Sequence, residues 1–345
     1  MKTRITEAFG IQYPIILSGM SWISVPKMVA AVSNAGGMGI LSTAVLNAET
    51  TRKAIREIRA YTDKPFGANA TLYFPGASDN AKVLLEEHVP VINFSLGKGD
   101  WIVKGAHQYG GKVIATVVNA KHGKKAQDYG CDAVIATGYE AAAHGEAISS
   151  MVLIPHLVDV LNIPVIAAGG IGDGRGFAAA LALGAEGIAM GTRFMTTHES
   201  PLHENYKNLS LGKEVYDTYY SARIDGIPCR VLDSKTARRA AMIGFNPFVA
   251  LINSLKIARN MKLPYFKVFL GLLGQGYKST KQLAHMALAF DSFQRATEDG
   301  DMQSGILPMG QVVGLMRDEP TVAQLIDRLV QEVRDTHRKM GSVLE

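Results

Sequence analysis

The chain is short of cysteine. Its 345 residues hold two, Cys131 and Cys229, too few and too far apart for a disulfide framework or a cysteine metal knuckle. A reducing, cytoplasmic setting is the expectation. No run of about 18 apolar residues occurs, so no membrane-spanning helix is expected. The apolar stretch Phe245 to Leu255 is too brief and interrupted to serve as one. The opening Met1–Phe9 lacks the apolar core of a secretion signal. No block of lysine and arginine is interleaved with aromatics, which argues against nucleic acid as a partner. No His, Asp or Glu spacing matches a metal site, and none is expected.

Hydrophobic residues make up 47% of the chain, enough for a large core. The net charge of +5 is spread over Lys53–Arg59, Lys121–Lys125, Lys235–Arg239 and Lys256–Lys267. A diffuse positive field suits an anionic small molecule.

From residue 13 to about 195 one grammar repeats: a short apolar run, a loop, a helix-period stretch, a glycine. The apolar runs are Pro14–Ser18, Gly39–Ser42, Phe66–Ala70, Val91–Phe94, Val113–Thr116, Ala133–Ala136, Val165–Ala168 and Gly187–Met190. Continuous rather than alternating, they read as parallel strands buried on both faces. The stretches Val25–Ala35, Ala48–Tyr61, Ala126–Tyr129 and Gly176–Leu183 read as helices, and Gly36, Gly130 and Gly184 stop three of them. Eight such units predict an α/β fold, a (β/α)8 TIM barrel over residues 1–204. Residues 205–300 break the grammar. The patterns Phe245–Ile257, Lys262–Leu273 and Lys281–Ala296 predict a helical insertion or cap. Residues 301–345 end in an amphipathic helix, Thr321–Lys339, with Thr321 at its start after Pro320.

In such barrels the reacting groups sit at the C-terminal ends of the strands. After the seventh run comes Ala168-Gly169-Gly170-Ile171-Gly172, and after the eighth Met190-Gly191-Thr192-Arg193-Phe194. Two glycine-rich turns at neighbouring strand ends, each opening a helix, form a phosphate site. Gly172, Gly174 and Gly176 do not have the spacing of a dinucleotide fingerprint. After the first run, Ser18-Gly19-Met20-Ser21-Trp22 lets backbone approach a flat ring. Asn69, at the end of the third, offers an amide that reads a ring edge or simply forms a turn. After the sixth, Gly138 to Gly145 is rich in small residues and frames His144, a residue type that can act as acid, base or donor.

These motifs resemble the nitronate monooxygenase (2-nitropropane dioxygenase) family, with its related FMN-dependent enoyl-acyl carrier protein reductases and NADH:quinone reductases. The resemblance rests on Tyr13-Pro14-Ile15, Gly19-Met20-Ser21-Trp22, Ala31 to Gly39, Lys64 to Asn69, Gly138 to His144, Ile166 to Gly176 and Met190 to Phe194. It covers residues 4–204 well and 300–340 weakly. It implies FMN, with Gly169, Gly170, Gly191 and Thr192 on the phosphate and Gly19, Met20 and Asn69 along the ring. Ser18, Gly138, Ala168 and Met190 complete the cofactor-binding set. His144 would stand beside ring and substrate as base or orienting donor.

The activity implied is oxidation of alkyl nitronates with O2. The alternative is an NAD(P)H-dependent FMN reductase acting on an enoyl thioester or a quinone. Expected partners are a small-molecule substrate, with NAD(P)H and a homodimer left open. The chain departs from the family in Ala141-Ala142-Ala143-His144, where Ala-Gly-Gly-His is common. It departs again in Met190, where nitronate oxidisers carry glutamine, and in Arg193, where they carry alanine.

Overall fold

The computed structural model describes residues 1–74, 76–243, 285–286 and 289–344. All eight apolar runs form strands: β1 Ile15–Leu17, β2 Met38–Leu41, β3 Gly67–Thr71, β4 Val91–Ser95, β5 Lys112–Val117, β6 Ala133–Thr137, β8 Val165–Ala168 and β9 Gly187–Met190. A further strand of two residues, β7 Ala143–His144, lies between β6 and β8 in the chain. Every barrel pairing is parallel, and β1 closes the barrel by pairing with both β2 and β9.

Strand periodicity divides the core in two. Ile15, Leu17, Val165 and Ala167 point outward into the layer shared with the helices. Ile16, Ile166 and Ala168 point inward with Met38, Ile40, Val91, Ile114 and Ile135. The short helix Arg4–Phe9 plugs the N-terminal mouth, adding Ile5 and Phe9 to that inner cluster. The floor of the barrel is therefore dry and packed.

Moving towards the C-terminal ends, the inward positions turn small and polar: Ser18, Ser42, Asn69, Asn93, Thr116 and Thr137. This change of chemistry along each strand leaves the upper end open.

The described part of 205–300 is not all helix. After the helix Glu204–Leu211 come β10 Thr218–Ser221 and β11 Cys229–Leu232, an antiparallel hairpin, and then the helix Lys235–Ile243. The aromatic and β-branched residues Thr218, Tyr219, Tyr220 and Val231 favour strand over helix, and Asp225-Gly226 makes the turn. The hairpin binds back to the barrel, since β11 pairs antiparallel with β7, Cys229 opposite His144. The expected helices Phe245–Ile257 and Lys262–Leu273 lie outside the described residues, as does the first part of Lys281–Ala296. Residues 289–294 are helical and lead into the π-turn Arg295–Asp299.

The C-terminal helix, Val322–Leu344, returns to the barrel. Thr321 caps it: Thr321 Oγ1 accepts from the Gln324 N–H at 3.2 Å, while Gln324 Oε1 accepts from the Thr321 N–H at 2.9 Å. Val322, Leu325, Ile326, Leu329 and Val333 bury one face in the outer core. Gly174, which opens the helix after β8, allows the close crossing. A Cβ there would lie 2.2 Å from Glu332 Cβ, and the Gly174 N–H donates to Glu332 Oε2 at 2.7 Å.

Candidate active site

The open end of the barrel holds a cavity of about 850 Å³, rimmed by the loops after the strands and by the cap. Ser18, Gly19, Met20, Asn69, His144, Ala168, Gly169, Gly170, Met190, Gly191 and Thr192 all line it. Eleven of the twelve residues singled out from sequence thus meet in one space.

Gly138 is the exception. A Cβ there would fall 2.1 Å from Ser150 Oγ, and its N–H is spent on the Ala168 carbonyl at 2.9 Å. It is a packing glycine between loop and helix, not part of the cavity wall.

The turns after β8 and β9 leave backbone N–H groups open. Gly169 (φ +94°) and Gly170 (φ +75°) adopt backbone that L side chains rarely enter. The N–H groups of Gly169, Gly170, Gly191 and Thr192 donate to no partner among the described residues. Four unspent amides at adjacent strand ends, one pair at the start of the short helix Thr192–Met195, suit a phosphate. The glycines keep that space clear. A Cβ on Gly169 would lie 3.1 Å from Ala141 Cβ, and one on Gly191 3.1 Å from the Met20 sulfur. The Thr192 hydroxyl accepts from the Gly310 N–H at 2.9 Å, tying the C-terminal segment to this turn.

The loop after β1 is braced from within. The Met20 N–H donates to Ser24 Oγ, so this amide is not free for a ring atom. Asn69 Oδ1 accepts from the Thr43 N–H at 3.1 Å, so the amide of Asn69 locks the neighbouring loop as well as facing the cavity. Glu140 is a brace too: its carboxylate accepts from Ser150 N–H and Oγ, at the start of the helix Ser150–Val160. Arg193 is buried at 4% exposure and pairs with Asp318 at 2.7 Å, a tie to the C-terminal segment rather than a cavity group.

Three non-glycine residues at the cavity have positive φ: Trp22 (61°), Leu96 (52°) and Ala143 (54°). Strain of this kind gathers at binding sites. Ala143 precedes His144, so the histidine is presented by backbone that the fold must hold in place.

The hairpin does that holding. Arg230 Nε donates to the Tyr139 carbonyl at 3.0 Å, and Tyr220 OH donates to the Gly145 carbonyl at 2.7 Å. The Arg230 guanidinium lies over the Tyr139 ring at 4.4 Å. The hairpin loop also brings Asp225, 1% exposed, to 2.6 Å from His144 Nε2.

Cys229 Sγ completes a group of three within 4.8 Å. Burial, and next the charge of Asp225, push its thiol well above the usual cysteine value. It is held protonated and is no nucleophile. A cation among the three would need the His144–Asp225 contact to open.

Burial likewise raises the phenols of Tyr73 and Tyr220. Asp225 and the hairpin escaped the sequence reading. The Asp225-Gly226 pair is a turn signal, but nothing local says that the turn folds against a histidine 81 residues earlier.

A family model described as nitronate monooxygenase matches residues 2–84 and 77–332. The chain belongs to the nitronate monooxygenase family. It is an oxidoreductase of that largely flavin-dependent family, and the open cradle and polar upper layer fit such a cofactor. A nitronate monooxygenase from Pseudomonas aeruginosa is 30% identical across 97% of this chain and 100% of its own. A Rhodococcus jostii protein named (3aS,4S,5R,7aS)-5-hydroxy-7a-methyl-1-oxo-octahydro-1H-indene-4-carboxyl-CoA dehydrogenase is 35% identical over 96% of both chains. Among solved structures, FabK from Thermotoga maritima superposes with a TM-score of 0.85 at 36% identity, covering 99% of each chain.

Proposed function

We propose that this family member is an FMN-dependent oxidoreductase that oxidises alkyl nitronates with O2. The carrying observation is the set of four unspent amides at Gly169, Gly170, Gly191 and Thr192, opening into the same cavity as His144. Those amides would hold the phosphate. Gly19, Met20 and Asn69 would line the ring, with Ser18, Ala168 and Met190 completing the cofactor-binding set. FMN, when bound, supplies electron transfer between substrate and acceptor.

The chain's own residues bind and orient. His144 receives or donates a proton at the ring nitrogen that Asp225 does not occupy. Trp22, Phe74 and Phe290, whose rings meet at 5.6 and 5.0 Å, exclude water from one wall. The basic surface draws an anion inward. Mixing the yellow holoprotein with ethylnitronate, then O2, tests this. Loss of visible flavin absorbance without O2 and its return with O2 is expected. Bleaching by NADH or NADPH with no response to nitronate contradicts it.

A second reading is favoured by the size of the cavity, its aromatic wall and the reach of the matches. The Rhodococcus relative is named for a CoA thioester and spans nearly all of this chain. On this reading the cavity takes an acyl or enoyl thioester, with NAD(P)H as electron donor for reduction. Crotonyl-CoA with NADH or NADPH under anaerobic conditions then gives steady loss of the reduced nicotinamide. No loss with either donor removes this reading.

A further inference from the structure

We propose that Asp225 is a positioning residue that fixes which nitrogen of His144 handles protons. This rests on His144 being the proton-handling group of the site. The geometry carries the rest. Asp225 Oδ2 lies 2.6 Å from His144 Nε2, and Asp225 Oδ1 accepts from the Ile227 N–H at 3.1 Å. Both oxygens are therefore committed. The carboxylate is 1% exposed, and no lysine or arginine pairs with it among the described residues. A buried carboxylate needs donors, and the imidazole supplies one: Nε2 carries a hydrogen towards Asp225. That leaves Nδ1, without a protein partner among the described residues, as the nitrogen for the cavity. When Nδ1 takes a proton, Asp225 stabilises the imidazolium across a short charge-assisted hydrogen bond.

The insertion thus contributes to the chemistry without touching substrate. The loop between β10 and β11 carries Asp225, Gly226 follows it at φ +90°, and β11 pairs Cys229 with His144. The histidine rides on this small sheet and the carboxylate on the loop that joins two of its strands, which holds their separation even where the barrel loop is strained at Ala143.

Asp225→Asn makes a distinct prediction. An asparagine has one carboxamide oxygen, and the Ile227 N–H claims it. The NH2 group then faces His144 Nε2, which must accept, and the ring hydrogen moves to Nδ1. Nitroethane is the turnover probe. Its C–H proton passes to Nδ1, and the bonding pair moves into the nitro group as nitronate. With Nδ1 already protonated, kcat should fall by about 10²- to 10⁴-fold, the usual worth of a positioned base, with KM little changed.

The test is imidazole 15N NMR on FMN-loaded protein, with His144→Ala assigning the resonances. In the parent protein the neutral His144 ring should carry hydrogen on Nε2, and in Asp225→Asn on Nδ1. Hydrogen on Nδ1 in the parent overturns the proposal, even if the variant fails to fold. So does a variant that keeps Nε2–H with turnover within a few-fold of the parent. The tautomer is read without substrate. A holoprotein inert towards both nitroethane and ethylnitronate would count against the nitronate reading and leave the tautomer result to decide this one.

Discussion

Gly169 shows how far a single residue could be read. Its place after an apolar run gave it away in the sequence, and its φ of +94° explains why no other residue type fits. Gly169→Ala forces a side chain into left-handed backbone, costing about 1–2 kcal/mol, and narrows the gap to Ala141. The expected result is a lower melting temperature and FMN binding at least about tenfold weaker, read by quenching of flavin fluorescence.

His144 was legible for a similar reason, as a histidine framed by small residues at a strand end. His144→Ala should keep FMN at parental affinity and lose turnover. Loss of FMN instead would make His144 a cofactor ligand. Gly138 misled because glycine answers to packing as well as to ligands, and only Ser150, distant in sequence, distinguishes the two.

At the level of elements, the eight strands were plain because a buried parallel strand is apolar on both faces. Of the polar residues that end their inward faces, Asn69 stood out at the end of its run, whereas Asn93 and Thr116 were hidden inside theirs. The hairpin at 218–232 was harder. Its strands pair with each other and with β7, and long-range pairing leaves no local period.

The C-terminal helix offers an energetic test. Asp318, held below the usual carboxylate range by Arg328 and Arg193, joins that helix to the turn after β9. Burial pulls the Arg193 guanidinium down while Asp318 opposes it. A depressed carboxylate contributes stability above its unfolded pKa, about 3.9, and loses it as pH falls through the lower folded value. Asp318 is 44% exposed, so solvent screening discounts the tie, and Asp318→Asn should cost about 1 kcal/mol or less at neutral pH. Parent and variant melting temperatures should draw together as the pH falls below the unfolded value and on through the lower folded one. A gap that persists in acid would mean that packing, not charge, makes the tie.

On the scale of the whole molecule, the barrel is dry at its floor and polar at its open end, and the insertion clamps the loop that bears the histidine. The sequence announced the barrel through its repeating grammar. It could not announce that the insertion reaches into the site, because that contact joins residues 144 and 225 across a break in the pattern.

On the proposed function, backbone amides at two adjacent strand ends grip the phosphate of FMN. Titrating apoprotein with FMN and with riboflavin, which lacks that phosphate, tests it directly. One FMN should bind per chain, more tightly than riboflavin by at least about a hundredfold, roughly 2.7 kcal/mol for a set of charge-assisted hydrogen bonds. Equal affinity for the two flavins would contradict it.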